Sequence, residues 1–320
     1  MMNTIHICTA SDKNYKLPLT ALLNSIYLNS ASHPCVMHIL YTDIPKRYQR
    51  KLQNKYKGTN LSVEFIDVSS YDFNCHELNM QYWTKAIFYR IMIPEIFQDL
   101  ERILYIDGDT LVLQDLYDFF NTSFQDDTYL TMIVDRFSWK HQMHRLKTSN
   151  YFNSGVILFD IAKCRQDDFS NKCIKWLQDN PKLPIYPDQD AINAVCDGKI
   201  MRASNLYNKM VVPSTPETIS EKPFIIHFLS STKPWMYSGK LRYCKFYRQY
   251  IPCWFNRNLV FIKQLLYKIR RDIFRIDTVE VFKCRKVISQ KEYRLFSKLI
   301  YSKTLEEKDI LEIMKESRNR

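Results

Sequence analysis

The stretch RILYIDGDTLVL, residues 102 to 113, runs apolar into Asp107-Gly108-Asp109 and then turns apolar again. Side chains two apart on an extended strand share a face, so both carboxylates can turn toward one hard divalent cation where a buried strand meets the surface. Gly108 leaves room for a bulky anion. The same letters also spell a turn, because Asp-Gly between apolar runs is a strong hairpin signal. An EF-hand is excluded, since the later ligands, the glycine at the sixth position and the glutamate at the twelfth are missing. The local pattern leaves the metal site and the hairpin both open.

Upstream of this stretch, strand-like and helix-like periods alternate: TIHICTA, LPLTALLNSIYL, CVMHILYTD, PKRYQRKLQNKY and LSVEFIDV. Strands apolar on both faces, separated by helices, predict βαβ units and a mostly parallel sheet, with ligands beyond the strands' carboxyl ends. TKAIFYRIMIPEIF reads as a further helix, and YLTMIVD, GVILFDI, KIMRA and FIIHFL as further strands. CRQDDFSNKCIKWLQDN and DQDAINAVCD predict helices, the second with Asp188 as its N-cap. The α/β reading extends to about residue 235, with no internal repeat.

The 320 residues, 46% hydrophobic and 14% aromatic, have the composition of a globular chain with a sizeable core. The net charge of +12 is concentrated in residues 241 to 320, which carry 20 Lys/Arg against 9 Asp/Glu; residues 1 to 240 carry 26 against 25. That distribution argues against a nucleic-acid partner, whose groove would draw cations onto the folded core. Only five glycines are present and GxGxxG is absent, which disfavours a Gly-rich phosphate loop and a Rossmann oxidoreductase. Nine cysteines form no CxxC pair and read as buried thiols in a reducing compartment. With no window of about 18 uncharged apolar residues, the chain is expected to be cytoplasmic.

Two regions follow: residues 1–240 as one catalytic domain, and residues 241–320 as a basic, aromatic-rich, helical extension. In the extension Leu259, Ile262, Leu266, Ile269 and Ile273 recur three or four apart, opposite Lys263, Lys268, Arg270 and Arg271. The pattern suits a helix on an anionic membrane surface, placing the protein peripherally at the membrane's inner face. It equally suits a helix packed on the domain with a solvated basic face.

Four more segments bear on the Asp pair: ASDKNY at 10–15, YFNSGVILFD at 151–160, YPDQDAIN at 186–193 and HFLSSTKPW at 227–235. With DGD, in this order and spacing over roughly residues 4 to 237, the chain resembles the family 8 retaining glycosyltransferases of the lipopolysaccharide galactosyl- and glucosyltransferase type. The resemblance implies an α/β GT-A fold, Rossmann-like and built for nucleotide-diphospho-sugars. It also implies Mn²⁺, or Mg²⁺ in its place, bridging the protein and the diphosphate of a UDP-sugar. Carried over, Asp107, Asp109 and His227 are the metal ligands, and Lys233 faces the diphosphate. Ala10, Asp12, Asn14 and Tyr15 surround uridine. Arg90, Asp135, Asn153, Gly155, Asp188 and Gln189 surround the donor sugar, with Gln189, Asp188 and Asp135 as the catalytic set. The family's HxxGxxKPW segment has Ser230 in place of its glycine.

Each residue also has a plainer reading: His227 as a core histidine, Asp12 or Asn14 as a loop cap, Arg90 on a helix face, Asp135 at a strand end, and Asp188 as a helix cap. Retention ordinarily calls for a carboxylate nucleophile, and the matching residue, Gln189, is an amide. The implied route is therefore front-face attack, in which the acceptor hydroxyl enters on the side the UDP leaves. The expected reaction moves glucose or galactose to a hydroxyl of a glycan or glycolipid acceptor, lipopolysaccharide or another cell-surface polysaccharide. A protein of this fold that binds sugar nucleotides or scaffolds at a membrane without transfer is the alternative. Acceptor contacts are expected on residues 137 to 150, where His141 and His144 read as part of a solvated loop.

Overall fold

In a computed structural model, residues 4–30, 32–71, 85–125, 127–212, 215, 221–229, 233–235, 247, 249–251, 274–283, 286–295 and 298–309 are described. The expected βαβ start is present: β1 (Ile5–Ser11), α1 (Lys16–Asn29), β2 (Cys35–Tyr41), α2 (Lys46–Tyr56) and β3 (Leu61–Asp67), with the three strands parallel. α1 is buried without interruption from Pro18 to Ile26, as a helix apolar on most sides must be. α2, rich in cations, buries only Gln49, Leu52 and Tyr56.

A 3-10 stretch (Lys85–Met92) leads through α3 (Ile93–Ile96) to β4 (Arg102–Ile106), β5 (Thr110–Val112), α4 (Tyr117–Phe120), β6 (Leu130–Val134) and α5 (Trp139–Leu146). Then come β7 (Phe152–Asp160), α6 (Ile161–Gln166), α7 (Phe169–Asp179), α8 (Pro187–Val195), β8 (Ile200–Arg202), β9 (Lys209–Val211) and β10 (Ile225–Phe228). Seven strands make one sheet in the order β3-β2-β1-β4-β7-β6-β8. β7 alone runs against its neighbours, antiparallel to both β4 and β6. Its first residues therefore lie at the edge where the parallel strands end, and the Asp107 amide donates to the Gly155 carbonyl at 2.8 Å. Alternate strand residues feed two apolar layers: Ile5 and Ile7 join Leu22, Met37 and Leu104 on one face, while Cys8 joins Leu40, Tyr105 and Ile157 on the other.

Asp107-Gly108-Asp109 is not a hairpin. β4 pairs in the large sheet, whereas β5 pairs with β10 in a separate sheet ordered β5-β10-β9, so the three residues join two sheets.

Several elements depart from the sequence expectation. TKAIFYRIMIPEIF is mostly 3-10, because Pro94 lacks the amide hydrogen that would bond the Arg90 carbonyl in an α-helix. The helix expected over residues 164 to 180 is divided between α6 and α7, where Asp168 adopts a left-handed φ of 53°. Asp188 does not cap α8. Pro187 opens the helix, and the Asp190 carboxylate accepts the Ile185 and Tyr186 amides instead, at 2.7 and 3.1 Å. His141 and His144 stand exposed on α5, a helix rather than a loop.

The chain divides into two units, Met1–Trp235 with Lys240–Cys253, and Met236–Gly239 with Trp254–Arg320. In the second unit β11 (Phe274–Lys283), β12 (Lys286–Leu295) and β13 (Lys298–Asp309) form an antiparallel sheet. This corrects the helical expectation over these residues, whose β-branched content, such as Ile276, Thr278, Val279 and Val281, favours strands. The amphipathic pattern at 259–273 and Ser230 lie outside the described residues. Among the described residues, Cys8, Cys35, Cys164, Cys173 and Cys196 are free and buried, and no helix is long and apolar enough to cross a membrane.

Candidate active site

Pairing of β10 with β5 sets His227 opposite Thr110 and carries its imidazole to the Asp pair. His227 Nε2 lies 3.2 Å from Asp109 Oδ1 and 3.8 Å from Asp107 Oδ2, and one ligand atom from each residue falls within 4.8 Å of the others. The imidazole is 3% exposed, and its Nδ1 meets Asn208 Oδ1 at 3.1 Å. Asn208 Nδ2 donates to Asn153 Oδ1 at 2.8 Å, which fixes the amide's orientation. Its oxygen can only accept, so Nδ1 donates to it, and Nε2 is the ring nitrogen that faces the carboxylates.

Two carboxylates and an imidazole aimed at one point fit a divalent ion of the Mn²⁺ or Mg²⁺ kind. The surroundings are shaped to the same end. A Cβ at Gly155 would fall 2.2 Å from His227 Cε1 and 2.8 Å from Asp107 Oδ2, so only glycine lets β7 pass this close to the cluster. Tyr105 donates to Asp107 Oδ1 at 2.8 Å. Lys233 donates to Asp109 Oδ2 and to the Phe228 carbonyl, both at 2.6 Å. Burial would raise the Asp109 carboxyl, but Lys233 and His227 beside it hold it well below the usual carboxylate range.

The separated sequence segments meet here. The Tyr15 ring comes within 3.3 Å of a Cβ built on Gly108 and stands edge-on to Trp235 at 5.7 Å, joining ASDKNY, DGD and KPW. Burial, then Asp109, Asp107 and Asp12, keep the Tyr15 phenol neutral, far above its usual range. Asp12 Oδ1 accepts the Asn14 and Tyr15 amides at 2.7 and 3.2 Å, so it does cap this turn. Ala10 is half-buried and Asn14 exposed.

Arg90, 5% exposed, ties the Asp pair to α8: it meets Asp107 Oδ1 at 2.8 Å, Asp188 Oδ2 at 3.1 Å and the Ser154 carbonyl at 2.6 Å. Burial nonetheless pushes the Asp188 carboxyl above its usual range. Gln189 spans the site's floor, its Oε1 accepting from Asn153 Nδ2 and the Ser154 amide at 3.1 and 3.0 Å, its Nε2 donating to Asp135 Oδ2 at 3.2 Å. Every candidate except Ala10, Asp12, Asn14 and Tyr15 thus belongs to one chain of hydrogen bonds and ion pairs around Asp107 and Asp109. Tyr105 and Ser154, inside the quoted RILYIDGDTLVL and YFNSGVILFD segments, belong to it as well, and so does Asn208, which lies outside every motif.

A parallel-rich α/β sheet over residues 5–202, with a metal-type Asp-Asp-His cluster at its strand ends, has the architecture of the GT-A fold. The sequence profile of glycosyl transferase family 8 matches residues 6–239, and the chain belongs to that family of sugar-transferring enzymes. Among relatives, General stress protein A of Bacillus subtilis (strain 168) is 26% identical over 269 residues, covering 77% of this chain and 93% of that protein. Lipopolysaccharide glucosyltransferase WaaO of Escherichia coli (strain K12) is 27% identical over 255 residues, 72% of each chain. The solved structure of galactosyltransferase LgtC, in complex with donor and acceptor sugar analogs, matches with a TM-score of 0.66 at 21% identity, covering 77% of this chain and 95% of that one.

Proposed function

We propose that residues 1–240 transfer a hexose, glucose or galactose, from a UDP-sugar to a hydroxyl of a glycan acceptor with retention of configuration. The acceptor is a cell-surface glycan of the lipopolysaccharide kind, as the names of WaaO and of the Salmonella typhimurium 1,3-galactosyltransferase, 22% identical over 251 residues, suggest. One observation carries the reading: Asp107, Asp109 and His227 converge within 4.8 Å beside the Lys233 ammonium.

These three residues hold Mn²⁺, or Mg²⁺ in its place, which when bound neutralises charge on the departing diphosphate. Lys233 adds a second positive group on the same side. Tyr15, Ala10, Asp12 and Asn14 line the uridine end, with the neutral Tyr15 ring available for stacking. Arg90, Asn153, Gly155, Asp135 and Asp188 fix the sugar end, where buried carboxylates accept hydroxyl protons.

The bond from the anomeric carbon to the diphosphate oxygen breaks, and the acceptor oxygen bonds to that carbon on the same face. Its proton passes to an oxygen of the leaving UDP. Gln189 supplies an amide dipole beside the developing positive charge rather than a nucleophile. The basic region 241–320 associates the cytoplasmic enzyme with an anionic membrane where glycolipid acceptors reside.

The test is hydrolysis and transfer from a panel of UDP-sugars, with and without Mn²⁺. Asp109→Asn is expected to lower turnover by on the order of a hundredfold or more while leaving the circular dichroism unchanged. Turnover equal to wild type in that variant after chelation would overturn the reading.

A further inference from the structure

Residues 44–63 contain six Lys/Arg and no Asp/Glu, within residues 1–240 that carry 26 Lys/Arg against 25 Asp/Glu in all. Five of the six lie on α2, and all six, Lys46, Arg47, Arg50, Lys51, Lys55 and Lys57, are exposed. None forms an ion pair with a described carboxylate. Lys46 with Arg50, Arg47 with Lys51, and Lys51 with Lys55 stand one turn apart, a spacing at which like charges weaken a helix. After the hydrogen bonds from Ser69, Lys46 helps hold the Asp67 carboxyl below its usual range, and the stripe otherwise faces solvent.

Apolar groups lie alongside. Tyr27 and Leu28, at the end of α1, are 40% and 59% exposed, and the Tyr27 ring is 5.7 Å from that of Tyr56 on α2. A cavity of about 320 Å³ opens between them and the Gly58 turn, lined by Ile26, Tyr27, Cys35 and Leu61 among others. Tyr250 rests on the same helix, its carbonyl accepting from Asn24 and its hydroxyl from Asn29.

We propose that the cationic face of α2, with Tyr27 and Leu28, docks the folded domain on an anionic phospholipid bilayer. Arg47, Arg50 and Lys51 meet headgroup phosphates, while Tyr27 and Leu28 enter the interface. A soluble polyanion would engage the cations but would give two adjacent apolar side chains nothing to enter. α2 follows directly from the carboxyl end of β2 and extends about 16 Å along the sheet.

The test uses the full chain with the photo-crosslinker p-benzoylphenylalanine in place of Leu28, and vesicles of phosphatidylglycerol or of phosphatidylcholine carrying a fluorescent lipid. Capture of lipid is expected only with phosphatidylglycerol, and a fivefold or greater drop in the Arg47→Gln/Arg50→Gln/Lys51→Gln background, whose circular dichroism and donor hydrolysis stay unchanged. The same crosslinker at Gln178, exposed on α7 across the sheet, is the background level. Capture at position 28 no higher than at 178, or unaffected by the triple substitution, would overturn the proposal. So would a chain that binds heparin as tightly as vesicles yet captures no lipid, which would make the stripe a soluble-polyanion site.

Discussion

At Gly155, where an added Cβ would lie 2.2 Å from His227 Cε1, the smallest substitution must displace the His227 ring or the strand that carries the glycine. Gly155→Ala is expected to cost about 1–3 kcal/mol by overpacking and to weaken Mn²⁺ binding together with it. Thermal unfolding and Mn²⁺ electron paramagnetic resonance measure the two effects separately. Asn208 acts one bond further out. Asn208→Ala frees the His227 ring and is expected to lower metal affinity by about 10- to 100-fold, read by titration of Mn²⁺. At Asp107 and Asp109 the local pattern left a metal site and a hairpin both open, and His227 joined them only through the family resemblance; the fold brings the three side chains together. Asn208 was not legible, since an amide in NLYNKM carries no pattern and acquires its role from a histidine 19 residues away. For Gly155 the resemblance pointed to the donor sugar, and the close approach to His227 and Asp107 emerges only from the fold.

α5 is fastened at both ends to neighbouring residues of α8. Asp135 accepts the Phe137 and Ser138 amides at 3.0 Å each and meets Gln189, while Arg145, ten residues on, pairs with Asp190 at 2.7 Å and donates to the Leu183 carbonyl at 2.8 Å. Asp190 is fully buried and also accepts from the Tyr151 hydroxyl at 2.5 Å. Arg145→Met leaves that carboxylate without its counter-charge and is expected to destabilise the fold by about 3–5 kcal/mol in urea unfolding. Adding Asp190→Asn should recover part of the loss, the mark of a charge left unpaired rather than of lost packing. Strands and long helices were readable because their periods repeat over whole turns. The junction at 107–109 was not, since it depends on β5 pairing with the distant β10, and the 3-10 stretch and the break turn on single residues, Pro94 and Asp168, inside otherwise helical patterns.

Summed over residues 1–240, the charges of the domain nearly cancel, and the sum hid the stripe on α2. Ionisation also couples to the stability of the whole fold through His38. Its Nε2 lies 3.0 Å from His6 Nδ1 and its Nδ1 3.0 Å from Glu64 Oε2. Burial, then the charge of His6, lower its pKa from 6.5 to about 4; Glu64, with a side chain 59% exposed, is too well screened to reverse this. The unfolded chain therefore takes up the proton first. Stability from this site falls as pH drops from 6.5 toward about 4 and then levels off, a total of about 3 kcal/mol. His38→Phe is expected to flatten that slope in urea midpoints measured across the interval. The sequence revealed the architecture, because the βαβ alternation and five ordered motifs span the domain. It could not reveal that the single reversed strand, β7, brings Asn153 and Gly155 to the common edge. The order of the parts along the chain also sets a timetable. The large sheet is complete at Arg202, but His227 and Lys233 come later, roughly two to six seconds of translation at ordinary rates. A polypeptide halted between residues 203 and 226 carries the large sheet and two of the three proposed metal ligands, and is expected to have no metal-dependent transfer.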